Sequence, residues 1–186
     1  MLDPVTRLLG DMEAGRAGAE EDLLALVYAQ LRGQAARIMS DQHRGHTLQP
    51  TALVHEAYVK LVRGERHWES RKHFFSVAAK AMRQVLTDHA RSNLAAKRGG
   101  ARQRVTLSGS EGVEEEISID LIALSEALEG LRARSPRHAD IAELRFLTGC
   151  SVAEVADSLE LSERTVKSGW RAARAWLRDA LDGEGR

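Results

Sequence analysis

Residues 151–181 read SVAEVADSLELSERTVKSGWRAARAWLRDAL, and the spacing inside this stretch decides the fold. Ser151 followed three residues later by Glu154 is the pattern of a capping box, in which a hydroxyl and a carboxylate each take a backbone N–H at the start of a helix. A turn is expected at Leu159-Glu160-Leu161. Ser162 then caps a second helix, in which Val166, Trp170, Ala173, Leu177 and Leu181 recur at helical spacing as a buried stripe. Ala156 is small where two such helices must approach, and Leu159, Leu161 and Val166 are apolar where the pair packs. The other side of the second helix carries Arg164, Lys167, Ser168, Arg171 and Arg174. Two short helices across a tight turn, the second of them basic, are expected of a helix-turn-helix. Such a unit lays its second helix in the DNA major groove, where basic groups and hydroxyls reach phosphates and base edges. The competing reading is a helical hairpin with a merely solvated basic face. Glu160 stands where the turn often has glycine, and a left-handed backbone there costs an L-residue about 1 kcal/mol.

Helical periodicity continues outward from this unit. Leu121, Leu124, Leu128 and Leu131 keep helical spacing. Ser135-Pro136 reads as a cap followed by proline in the first turn, and Gly149 closes the helix that follows. Upstream, Leu23, Val27, Leu31, Ala35 and Ile38 share one helix face, and Pro50 opens a helix with Leu53, Val54, Ala57, Tyr58 and Leu61 inward. A long helix is expected from Arg71 into the nineties. Its apolar face is Phe74, Ala78, Ala81, Met82 and Val85, and its other face carries Lys80, Arg83, Gln84, Thr87, Asp88 and Arg91. Residues 99–120 hold Gly109, Gly112, three serines and an acidic run, and read as a linker. Within it Arg104–Leu107 reads as a short extended piece with no partner in view. The expected fold is therefore all-α, with two helical domains, 1–98 and 121–186, joined by a flexible linker over 99–120, the second domain containing the helix-turn-helix.

Composition supports that class. Aromatic residues are 4% of the chain and β-branched residues are sparse beside Ala, Leu, Arg and Glu, which favours helices over a sandwich or barrel. The chain shows neither an export signal nor an apolar run long enough to span a bilayer. A single cysteine, Cys150, excludes an internal disulfide framework and fits a reducing cytoplasm, the expected location. The 27 basic and 27 acidic residues cancel, but not locally. Lys80 to Arg104 holds seven basic residues against one acid, and Ser162 to Arg178 holds five against one. Two basic segments permit two separate contacts with phosphates.

Enzymatic signals are weak. His43 and His46 form an H-x-x-H with no third ligand at a suitable spacing, and His55-Glu56 begins an H-E-x-x-H whose second histidine is replaced by Val59. No Gly-rich phosphate loop and no recognisable nucleophile setting occur. Neither catalytic residues nor a metal nor a cofactor is expected. The start of the long basic helix offers a different chemistry. His67, Trp68 and Arg71, near Phe74 and Phe75, combine rings and cations in the way that single-stranded nucleic acid is held, although Phe74 also lies on the apolar stripe.

Three stretches together carry a resemblance. The 151–181 segment, with ERTVKS followed by RAAR, looks like a domain that binds a promoter −35 element; LQPTALVHEAYVKLVRG at 48–64 looks like a helix that binds the polymerase clamp; and HFFSVAAKAMRQVLTDHARSNLAAKRGG at 73–100 looks like a segment that reads and melts the −10 element. In order and spacing the chain resembles a bacterial RNA polymerase sigma factor of the sigma-70 family, extracytoplasmic-function (ECF) group. The resemblance departs at Gly169, where many members have a basic residue, and at Gln49-Pro50-Thr51-Ala52, where many have an acidic cluster. It implies that core RNA polymerase and promoter DNA are partners, and it admits an anti-sigma factor. It implies that Leu53, Glu56, Tyr58 and Lys60 bind core polymerase. It implies a −10 face of Arg83, Gln84, Thr87 and Arg91, to which His67, Trp68, Arg71 and Lys80 add. It implies a −35 face of Arg164, Thr165, Lys167, Ser168 and Arg171, beside Arg174. A helix-turn-helix regulator that binds duplex DNA without polymerase is the alternative, and a helical adaptor that binds only protein is a third class.

Overall fold

The structure is a computed structural model that describes residues 4–39, 49–63, 71–96, 104–107 and 117–183. Its helices are α1 (Pro4–Glu13), α2 (Ala19–Ile38), α3 (Pro50–Arg63), α4 (Arg71–Ala96), α5 (Leu121–Arg134), α6 (Pro136–Leu147), α7 (Val152–Leu159) and α8 (Glu163–Gly183). The fold is all-α in its packed body, as composition and periodicity lead one to expect. One departure lies in the segment read as a linker. Arg104–Leu107 (β1) does have a partner. It pairs antiparallel with Ile117–Asp120 (β2), Arg104 opposite Asp120 and Leu107 opposite Ile117. Both pieces are rich in β-branched residues, which suit a pleated ladder. The partner lies beyond an acidic, glycine-containing stretch that carries no short hairpin signal. Asp120 ends the ladder and starts α5, its Oδ1 accepting from the N–H groups of Ile122 and Ala123, both at 3.0 Å.

The first half packs as the stripes require. Leu23, Val27, Leu31, Ala35 and Ile38 of α2 are all buried, as are Leu53, Val54, Ala57 and Leu61 of α3, which packs on α2 and on α4, and Phe74, Phe75, Ala78, Met82 and Val85 of α4. Phe74 and Phe75 both belong to this core, their rings edge to face with centroids 5.3 Å apart. In the second half α6 is the central element. Its Ala139 and every residue from Ile141 to Leu147 are buried, because α5, α8, α4 and α2 all pack on it. The two halves meet directly in this structure, α4 lying on α5 and α6, and α2 on α6.

The contact with α2 uses the turn after α6. Gln30 donates from Nε2 to the carbonyl of Thr148 at 3.2 Å, and Gln34 donates to the carbonyl of Phe146. Gly149 has φ +69, so the turn favours glycine for its left-handed backbone, and a Cβ there would press on the Gln34 side chain, 2.9 Å from Oε1. Ser135 stands at the N-cap of α6, but its side chain makes no capping bond, so Pro136 in the first turn is the working part of that signal.

Candidate nucleic-acid interface

The unit formed by α7, the turn and α8 is built as its sequence dictates. Ser151 Oγ accepts from Glu154 N at 3.2 Å while Glu154 Oε2 accepts from Ser151 N at 2.7 Å, completing the capping box. Glu160 ends α7 with φ 54 and ψ 44, and is the one non-glycine with positive φ among the described residues. The side chain there carries a cost of about 1 kcal/mol. Leu161 N bonds to Ala156 O at 2.9 Å and draws the turn back over α7. Ser162 Oγ then accepts from Thr165 N at 3.1 Å and caps α8.

Within α8, Val166, Trp170, Ala173 and Leu177 are buried, and Leu181 packs against that core. Arg164, Lys167, Ser168 and Arg171 are exposed on the opposite side. Arg164 and Arg171 are seven residues, or about two turns, apart along one face. Lys167 is 3.6 Å from Glu163, an exposed pair one turn apart that competes weakly with any other anion. Thr165 is half-buried, its hydroxyl 2.7 Å from that of Ser162, so it serves the cap as well as the edge of the basic face.

Arg174 lies elsewhere. It is 9% exposed, and its guanidinium packs 5.8 Å from the centre of the Trp170 ring, which Arg145 approaches at the same distance. Burial first, and then neighbouring Arg178, lower its pKa from the ordinary arginine value. Position 174 is four residues after Trp170 and therefore on the buried stripe, so its expected place among the exposed arginines is corrected. Gly169 is also buried. A Cβ there would fall 2.6 Å from Cδ1 of the fully buried Ile141, so α6 approaches α8 too closely for the basic side chain that many resembling sequences carry.

The long basic helix α4 divides in a similar way. Lys80, Gln84 and Arg91 are exposed. Thr87 is 6% exposed, its hydroxyl donating to the carbonyl of Arg83 at 2.8 Å, which puts it inside rather than on the expected face. Arg83 is half-buried and already engaged, with Nη1 3.5 Å from Glu129 of α5 and Nε 3.6 Å from Glu143 of α6. Glu143 is buried and also bound by Arg132 at 2.9 Å, which in turn holds Asp140 at 2.9 Å. Burial pushes the Glu143 carboxyl above the usual carboxylate range, and Arg132 and then Arg83 draw it back in part. Arg83, Arg132, Asp140 and Glu143 line a crevice of about 350 Å³ among α4, α5 and α6 together with Ser76, Val77 and Lys80. Sequence reasoning did not pick out Arg132, Asp140 or Glu143, because an ion cluster across distant helices leaves no periodic trace. Arg71 opens α4, while His67 and Trp68 lie outside the described residues.

On α3 the four residues expected at the polymerase clamp also separate. Leu53 is fully buried in the stripe with Val54, Ala57 and Leu61. Glu56 is exposed, Tyr58 is half-buried, and Lys60, half-buried, reaches Asp88 of α4 at 3.3 Å. Cys150 is buried, its sulfur 3.1 Å from the Thr148 hydroxyl. Among the described residues no cluster of three or more His, Cys, Asp or Glu could hold a metal ion, and no helix is long and apolar enough to cross a membrane. His43 and His46 lie outside the described residues.

A family model described as "ECF sigma factor" matches residues 2–183. No curated protein matches the chain.

Proposed function

The chain belongs to the ECF sigma factor family, and from that premise we propose that it binds core RNA polymerase as a dissociable subunit and directs initiation at promoters carrying its −35 and −10 elements. The observation that carries this reading is α8, which exposes Arg164, Lys167, Ser168 and Arg171 over a buried stripe of Val166, Trp170, Ala173 and Leu177. A helix fixed on one side by apolar packing and basic on the other is equipped to enter a major groove. In this reading the helix-turn-helix of region 121–186 takes the −35 element. Residues 1–98 take core polymerase and the −10 element, and 99–120 joins the two. The protein supplies binding energy and position and makes or breaks no covalent bond itself. Its place of action is the cytoplasm, where polymerase is, and an anti-sigma factor is a compatible partner.

The −10 element is assigned to Lys80, Gln84 and Arg91 of α4 and to Arg71 at its start, with His67 and Trp68 offering rings for an unpaired base. Arg83 joins them by exchanging Glu129 and Glu143 for phosphate. The exchange leaves the buried Glu143 carboxylate to Arg132 alone, so it carries a cost that phosphate contacts must offset. Clamp binding is assigned to Glu56, Tyr58 and Lys60 on the outer side of α3, with Leu53 holding that helix in place from beneath. The full chain is expected to co-elute with core polymerase on gel filtration. Glu56→Lys is expected to weaken that association while leaving the thermal midpoint within a few degrees, because Glu56 is exposed. A wild-type chain that elutes apart from core at every salt concentration refutes the subunit reading.

A further inference from the structure

The two halves of the chain are tied together through the face assigned to the −10 element. Arg83 of α4 is half-buried between Glu129 of α5, 3.5 Å from Nη1, and Glu143 of α6, 3.6 Å from Nε. Both carboxylates belong to the second half. A further tie runs from α2, where Gln30 and Gln34 donate to the carbonyls of Thr148 and Phe146 at the end of α6. These ties are built to let go. The shortest pairs of the ion cluster, Arg132 to Glu143 and Arg132 to Asp140, each 2.9 Å, lie wholly within the second half, so Glu143 keeps one guanidinium when Arg83 leaves. Glu143 Oε1, which faces Arg83, is buried and makes no hydrogen bond among the described residues, so it holds Arg83 by charge alone. The two carbonyls held by the glutamines stand at a helix end, where water can replace an amide.

This closed arrangement is too short to serve both promoter elements at once. Positions −35 and −10 are about 25 base pairs apart, or about 85 Å of duplex. A compact chain of 186 residues has a radius of gyration of roughly 16 Å and is roughly 40 Å across. We infer that the free chain latches itself shut: the second half covers the −10 face of α4, Glu129 and Glu143 hold Arg83 in place of phosphate, and Gln30 and Gln34 fasten α2 to the end of α6. The latch rests on the DNA-binding reading of α4 and α8 given above, and adds the state in which those faces are withheld. Promoter affinity of the free chain is then reduced by the fraction of molecules that are open. Helix α3 packs on α2 and α4, and its Glu56 is exposed in the closed chain, so polymerase docks there before the halves part.

Small-angle X-ray scattering of the full chain reads the closed state, and titration with a pool of random-sequence duplexes of about 40 base pairs, long enough for both elements, reads the masking. The wild type should have a radius of gyration near the roughly 16 Å of a compact chain. Gln30→Ala combined with Gln34→Ala alters neither DNA face. This pair, and the same pair with Glu143→Gln, should exceed about 20 Å and bind duplex about 10-fold more tightly. A thermal melt separates opening from unfolding, and the glutamine pair carries the test if the buried Glu143→Gln change unfolds the second half. Core polymerase should bind wild type and the glutamine pair equally, because α3 is open to it in both states. A wild-type radius above about 20 Å overturns the latch, and so do variants that stay as compact as wild type. Weaker core binding by wild type overturns the docking order. A variant that opens and binds duplex no more tightly than wild type overturns the masking and leaves the DNA-binding reading standing. A variant that opens and binds no duplex at low salt takes down both.

Discussion

Phe75→Ala is expected to remove about 3–5 kcal/mol of folding stability, a large share of the 5–15 kcal/mol that holds a typical domain together. Phe75 is completely buried and meets Phe74 edge to face at 5.3 Å, with the two ring planes 85° apart. Truncation removes the ring's transfer energy and leaves a cavity that close-packed neighbours such as α3 fill only in part. A urea or thermal melt should show the loss directly. The functional consequence follows through α4. Lys80, Gln84 and Arg91 stand on the outer side of the helix whose inner side Phe75 anchors, so DNA binding and stability should fail together. The two phenylalanines also sit at the start of a basic helix, where rings can stack on bases. A Phe75→Ala variant that melts as the wild type does, yet binds single-stranded DNA less well, would put the ring at a base instead of in the core.

Arg171→Ala is expected to weaken binding to −35 duplex by about 1–3 kcal/mol, or roughly 5- to 150-fold, if the guanidinium reads a base edge. A smaller loss, equal for all sequences, is expected if it touches phosphate alone. The residue is exposed on the same face as Arg164, Lys167 and Ser168, so folding should be unaffected. Arg174→Ala makes the contrast. Its side chain is buried against Trp170, so it should lower the melting temperature and leave sequence preference unchanged. Equal affinity of Arg171→Ala and wild type for every duplex at low salt would take Arg171 out of the interface.

These two arginines mark how far the sequence can be read. Where one face of a helix is decided by its own period, as in α2 or along Val166, Trp170, Ala173 and Leu177, the pattern is local and legible from the order of residues. The caps at Ser151 and Ser162, and the left-handed turn at Glu160, are legible for the same reason, because each is settled within a few residues. Side chains at the boundary of a face are different. Thr87 and Arg174 are polar, and polarity argues for solvent, but each lies next to the stripe and is covered by what packs there. Strict counting from Trp170 finds Arg174; nothing in the order of residues finds Thr87, whose burial depends on neighbouring helices. Pairings across distance are less legible still. The β1–β2 ladder, the Arg83–Glu143–Arg132 cluster and the seating of Gln34 over Gly149 each join segments whose meeting is fixed by the fold as a whole.

Promoter-directed initiation is tested most directly by run-off transcription with purified core polymerase on fragments of the native genome. Core polymerase together with the full chain should give discrete transcripts from a restricted set of fragments, core alone should give none of them, and Arg171→Ala should reduce their yield. A chain that leaves core activity unchanged on every fragment, while binding a two-fold symmetric duplex tightly by itself, would contradict the sigma-factor account and identify a helix-turn-helix regulator instead.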